Sequence, residues 1–220
     1  MRGVFDYIFP HRCVNCSKII HQRDMPLCLI CYANLPFTHW EMDDKNISYE
    51  LIRKSAAIEK GTSILLYQHG NAVQKLVMAN KYFNQPHIGD FMAELAFPIV
   101  SKHEYDLILC IPSHPRTLRQ RGYNQVERFS EKLSEKMNIK FDKHLLKRTK
   151  RRDSQTHRNR TERYDSLANA FQVSDDIQQY ENILLLDDVL TSGATLSSCC
   201  QSILNKKDLK ISVLTMAKVM

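Results

Sequence analysis

From Thr62 onward, short apolar runs alternate with stretches whose apolar residues recur at helical spacing. Ser63–Gln68 (SILLYQ) predicts a strand. Ala72–Phe83 then places Val73, Leu76, Val77 and Phe83 at helical spacing, and Gly89–Val100 predicts a second helix. Asp106–Pro112 (DLILCIP) reads as a buried strand, followed by a turn-rich basic stretch and a helix over Asn124–Met137. Asn182–Asp188 predicts another strand, Ala194–Leu204 the helix after it, and Lys210–Ala217 a final strand by its alternation. Strands separated by helices imply an α/β fold with a mostly parallel sheet flanked by helices, because parallel neighbours need crossover connections. Ligands bind such sheets at the carboxyl ends of the strands. That rule selects Ile111–Gln125 and Asp187–Thr195.

The N-terminal 40 or so residues follow another pattern. Cys13-x-x-Cys16 and Cys28-x-x-Cys31 are separated by eleven residues, and Pro10, Pro26 and Pro36 punctuate the segment. Each CxxC pair can turn the chain and offer two thiolates, and two pairs complete the tetrahedral Cys₄ shell that Zn²⁺ favours. So small a segment buries too little apolar surface to fold unaided, so the metal would supply its stability. A redox or disulfide role is the alternative, and His11 and His21 are possible substitute ligands. The expected organisation is a Cys₄ zinc-binding module over 1–40, a charged linker over 41–61 and the main domain over 62–220. Cys110, Cys199 and Cys200 read as small buried hydrophobes.

Charge sharpens the picture. The formal net charge is +7, and Lys143–Arg163 alone holds nine Lys or Arg against two Asp or Glu. A positive segment on a neutral body points to anionic ligands, phosphates or nucleic acid, against the plainer alternative of a solvated loop. Arg151, Arg152, Arg158 and Arg160 are the nucleic-acid candidates within it. No apolar run approaches the roughly 18 residues of a membrane span. The first residues lack the apolar core of a secretory signal, so a cytoplasmic protein without membrane insertion is expected.

The most informative stretch is Ile183–Thr195. An apolar strand runs into Asp187 and Asp188, and Thr191-Ser192-Gly193-Ala194-Thr195 opens the next helix. Carboxylates accept hydrogen bonds from vicinal hydroxyls, while hydroxyls and backbone N–H groups at a helix start bind phosphate. Gly193 permits close backbone approach. Taken singly, these pieces also fit a capping turn.

In this order, ILLLDDVLTSGAT resembles the thirteen-residue fingerprint by which type I phosphoribosyltransferases bind phosphoribosyl pyrophosphate (PRPP). With CVNC and CLIC, Asn80-Lys81-Tyr82, HPRTLRQRGYNQ (114–125), and Gln155 with Arg163, the likeness narrows to the ComF family of competence-associated, phosphoribosyltransferase-like proteins. The resemblance implies a type I phosphoribosyltransferase-like fold with an N-terminal zinc-ribbon-like module. By it, Asp187 and Asp188 bind the ribose hydroxyls, and Thr191, Ser192, Gly193, Ala194 and Thr195 the 5′-phosphate. Arg116, Arg119 and Arg121 are candidates for the pyrophosphate, whose charge calls for cations and Mg²⁺. The chain departs from the family at Leu109–Ser113, where a Val-Pro-Val-Pro stretch is usual. It also departs around Gln155, Arg158, Arg163 and Ser166, where a leucine and an asparagine of the family pattern are replaced.

Three functions share these features. The first is a competence protein that binds PRPP and handles incoming single-stranded DNA in the cytoplasm, with competence-machinery proteins as possible partners. The second is a phosphoribosyltransferase that displaces pyrophosphate with a nucleobase or amine. The third is a PRPP-responsive regulatory protein without turnover. No residue stands out as a general base, and the fingerprint is common to all three.

Overall fold

A computed structural model describes residues 10–22, 24–82, 85–149 and 170–220. Its centre is a five-stranded sheet. β1 (Lys60–Tyr67), β2 (Leu107–Cys110), β3 (Lys140–Phe141), β6 (Asn182–Leu190) and β7 (Lys210–Val219) lie in the order β1-β7-β6-β2-β3, all parallel. The α/β class and the parallel sheet flanked by helices hold as expected. β4 (Leu146–Arg148) and β5 (Phe171–Val173) form a separate antiparallel pair.

The helices are α1 (Leu29–Ala33), α2 (Ile47–Arg53), α3 (Ala72–Tyr82), α4 (Pro86–Val100), α5 (Pro115–Arg121), α6 (Glu127–Met137) and α7 (Ala194–Leu204). Strand side chains alternate between faces, so β6 and β7 feed two separate cores. Leu184, Leu186, Leu214 and Met216 join Val77, Phe91 and Phe129 on one side, where α3, α4 and α6 pack. Ile183, Leu185, Ile211 and Val213 join Ile52, Leu196, Cys199 and Ile203 on the other, under α2 and α7. Helices α4 and α6 meet closely at Gly89, where an added Cβ would lie 2.9 Å from the Phe129 backbone nitrogen.

Two elements differ from the pattern-based reading. The basic stretch after β2 is a helix, α5, with the signs of one in its sequence. His114 caps it, accepting from the Arg116 N–H at 3.2 Å, Pro115 sits in its first turn, and Gly122 closes it at φ 79°. Residues 41–61 carry α2, whose cap Asn46 accepts from the Ser48 and Tyr49 N–H groups. Just before it, residues 36–43 run antiparallel along the outer edge of β1, with Thr38 N–H donating to Ile64 O at 3.0 Å and Leu66 N–H to Pro36 O at 2.8 Å. This contact covers an edge that would otherwise stand open.

Candidate functional site

The segment with the two carboxylates forms the strand, loop and helix its pattern implies. Four buried residues, Ile183–Leu186, hold β6 in the sheet centre between β2 and β7. The strand continues past the aspartates to Leu190, and α7 begins at Ala194. Thr191, Ser192 and Ala194 are exposed in the loop and first turn of α7, Thr195 is half-buried, and Ser192 Oγ accepts from the Ala194 N–H at 3.4 Å. Gly193 is buried at φ 76°. Its missing Cβ faces Leu51, Ile52 and Leu190 at 3.5–3.7 Å. The left-handed backbone therefore requires the glycine, more than clearance for a phosphate does.

Because Asp187 and Asp188 are consecutive on a strand, they point to opposite faces. Asp188 falls on the side of α3 and α6. It is 8% exposed, with Lys81 Nζ at 2.8 Å, the Gln125 Nε2 donating at 2.9 Å and the Val189 N–H at 2.6 Å. Burial alone would raise its pKa. The Lys81 ammonium, the Gln125 amide and the Val189 N–H outweigh burial and hold it below the ordinary carboxylate value.

Asp187 falls on the α7 side, with Thr215 as its register partner on β7. Thr215 and Ser63 hydroxyls are 2.6 Å apart, and Ser63 and Ser48 hydroxyls 2.7 Å apart, so a buried hydroxyl row runs up to this position. Burial, with the neighbouring Asp188 charge, pushes the Asp187 carboxyl up to about 8.

Lys81 and Gln125 were visible only as parts of matching motifs, with no role assigned. Arg121 belongs to the same network, its Nη1 donating to Gln125 Oε1 at 3.1 Å and its guanidinium lying 4.9 Å from the Tyr82 ring centre. Arg116 and Arg119 are exposed on α5. The nucleic-acid candidates Arg151, Arg152, Arg158 and Arg160, like Gln155, Arg163 and Ser166, lie outside the described residues. Of the basic segment's described part, Lys143 pairs with Glu127 at 3.3 Å and Arg148 lies over the Phe171 ring. A recess of about 650 Å³ opens at the other end of the sheet, among Glu59, Glu104, Asp106, Glu181 and Asp208. Its charge disfavours phosphates.

The second site is the cysteine cluster. Sγ atoms of Cys13, Cys16, Cys28 and Cys31 all lie within 4.8 Å of one another, with 3.7 Å between Cys16 and Cys28. A tetrahedral ion with metal–sulfur bonds of about 2.3 Å needs sulfurs about 3.8 Å apart. The four residues therefore fit a structural metal ion. Burial opposes a Cys13 thiolate, but N–H groups of Cys16, Cys28 and Asn15 outweigh it and bring its pKa down to about 6. Burial pushes Cys31 up to about 12, partly offset by Asn15 Nδ2 at 3.3 Å. Lys75 of α3 donates to Asn15 O at 2.7 Å, so the helix that presents Lys81 to Asp188 also grips the knuckle.

Fold and site together define a parallel α/β protein with two carboxylates and a hydroxyl-rich loop at the end of its central strand, and an attached four-cysteine module. No protein-family model matches the chain. It is 26% identical to Competence protein F of Haemophilus influenzae over 203 residues, 86% of this chain and 89% of that protein. It is 28% identical to DNA utilization protein YhgH of Escherichia coli O6:H1 over 99 residues, 45% of this chain and 43% of that protein, and equally so to its Escherichia coli O157:H7 counterpart. A solved structure described as the allosteric regulatory enzyme of purine biosynthesis aligns with 62% of this chain and 30% of its own, at 12% identity and a TM-score of 0.43. Similarity to Competence protein F thus extends along most of the chain, in keeping with the motif-based resemblance.

Proposed function

We propose that this protein binds PRPP with Mg²⁺ at the β6–α7 crevice and serves natural competence by handling incoming single-stranded DNA in the cytoplasm. One observation carries the reading. Asp187 and Asp188 sit at the carboxyl end of a central parallel strand, and the loop Thr191–Gly193 leads directly into the start of an eleven-residue helix. That is where an α/β sheet binds ligands and where a helix favours phosphate. The carboxylates would take the ribose hydroxyls, the 191–195 loop the 5′-phosphate, and Arg121, already tied to Gln125, the pyrophosphate side. The name of the Haemophilus influenzae relative supports the competence role. Among the described residues no helix is long and apolar enough to cross a membrane.

Calorimetric titration of PRPP with Mg²⁺ tests this. Saturable binding below millimolar concentration is expected, and a folded protein that takes up none would sink the proposal. Turnover is a second reading, favoured by the Asp187 carboxyl held at about 8, near the range that suits a proton acceptor. Pyrophosphate release with a panel of nucleobases and amines tells turnover from binding alone.

The four-cysteine module would hold one structural Zn²⁺. Purified without chelator, the protein is expected to carry about one zinc per chain, and Cys13→Ser or Cys28→Ser to lose it. The module should then lose its protection from proteolysis while the sheet domain keeps its own. Metal analysis without zinc, together with a disulfide found by mass spectrometry, would contradict this assignment.

A further inference from the structure

Apart from Ile47 and Met220, the large exposed apolar side chains among the described residues fall into two groups. Ile19, Leu29 and Ile30 lie on the cysteine module, where nothing indicates what would cover them. Met78, Tyr82 and Leu118 lie on α3 and α5, 43%, 59% and 43% exposed. This second group is linked through Arg121. Met78 and Tyr82 share a face of α3 at i, i+4, and Leu118 and Arg121 share a face of α5 at i, i+3. The Arg121 guanidinium over the Tyr82 ring joins the two faces.

The surroundings are cationic. Helix α5 reads PRTLRQR, with three arginines and no acidic residue, and Arg116 and Arg119 are exposed. Arg119 has no ion-pair partner among the described residues. Lys81 sits next to Tyr82, but its charge is taken up by Asp188. An apolar patch rimmed by arginines disfavours a fatty or acidic-poor partner and suits a ligand with both flat apolar faces and phosphates. An unpaired strand of nucleic acid has both.

We infer that Tyr82 and Leu118, with Arg116 and Arg119, form a contact surface for single-stranded nucleic acid at the mouth of the crevice. Tyr82 offers an exposed ring to an unpaired base. Arg121, held by Gln125, braces that ring by a cation–π contact, so little side-chain freedom remains to be lost on stacking. Arg116 and Arg119 take backbone phosphates. This rests on the strand-handling part of the proposed function, and it places the contact on α3 and α5. A strand phosphate and the pyrophosphate of PRPP share their chemistry, so the test must separate them.

The test is fluorescence anisotropy of the full chain with labelled oligo-dT about 16 nucleotides long, set beside PRPP calorimetry. Tyr82→Ala should weaken oligo-dT binding about 5- to 150-fold, the value of one stacked base, and Tyr82→Phe should restore it. Binding of a duplex of the same length should not respond to Tyr82→Ala, since its bases are already stacked on each other. Tyr82→Ala should cost PRPP affinity far less than oligo-dT affinity, since Gln125 still holds Arg121 when the ring is gone, and thermal melting should be unchanged for so exposed a side chain. Replacing Arg116 and Arg119 together by Ala should lower the slope of log K against log salt by about 1.4. Equal oligo-dT affinity for wild type and Tyr82→Ala, with loss only when Arg151, Arg152, Arg158 and Arg160 become Ala, would overturn the inference but leave strand handling intact. Loss in Tyr82→Phe as large as in Tyr82→Ala would overturn stacking. A wild type that binds PRPP but no oligo-dT would overturn the inference and strand handling together, without touching the PRPP site.

Discussion

Asp188→Asn is expected to weaken PRPP binding about 10- to 150-fold and to destabilise the protein by about 1.5–3 kcal/mol, each the worth of a hydrogen bond to a charged group. Both losses have one cause. The carboxylate accepts from Gln125 and Val189 and neutralises Lys81, whose side chain is only 23% exposed. Asparagine keeps an acceptor oxygen but leaves the ammonium largely desolvated with no counter-charge. The pH dependence follows from the direction of the shift. A carboxyl held below its unfolded value adds stability that is present above about pH 3.9 and is lost as pH falls through the lower folded value. Urea denaturation of both proteins should therefore show a gap at pH 7 that narrows as the medium becomes strongly acid. A gap independent of pH would mean that packing, not charge, is what the substitution removes.

Asp187→Asn should move stability the other way while also weakening PRPP binding. With the folded carboxyl at about 8 and an unfolded value near 3.9, the native state holds a proton that the unfolded chain has released. Wild-type stability contributed by this group is full below about pH 3.9 and declines as pH rises through about 8. Asparagine, neutral throughout, escapes that decline. The variant should gain on wild type as pH rises from about 4 toward 8 and keep that gain at pH 9, with the gain vanishing near pH 4. Denaturation midpoints at pH 4.5, 7 and 9 would show it, and a variant less stable than wild type at pH 9 would refute it. Adjacent aspartates with opposite effects on stability but the same effect on ligand are what a binding site set into a sheet should show. One carboxylate is supported by the fold, and the other is strained against it.

Much of this site was legible before any coordinates. The helix over Ala194–Leu204 was predicted with the bounds it has, and the strand leading to the carboxylates was two residues short. Both rest on strong local patterns, an unbroken apolar run and a hydroxyl-glycine turn at a helix start. Helix α5 was missed although Pro115 and Gly122 bracket it, because its arginines, with only Leu118 among them, give no apolar periodicity. Helix α2 was missed because its seven residues are too few for a clear period, and residues 41–61 read simply as charged.

By itself the sequence determined the parallel α/β class, the strand-loop-helix around Asp187 and Asp188, and the pairing of Cys13–Cys16 with Cys28–Cys31. These depend on spacing within a few residues, where backbone geometry leaves little choice. Only the tertiary structure decided which face each aspartate serves and which partners it meets. It brings Lys81 and Gln125 to Asp188, and Ser63 and Thr215 into the row beside Asp187, from elements far apart in the chain. The same holds for Tyr82 and Arg121, which belong to different helices and meet through a cation–π contact. A pKa depends on desolvation and on charges a few ångströms away. Those are set by the order of strands in the sheet and the helices laid across it, and no local pattern records them.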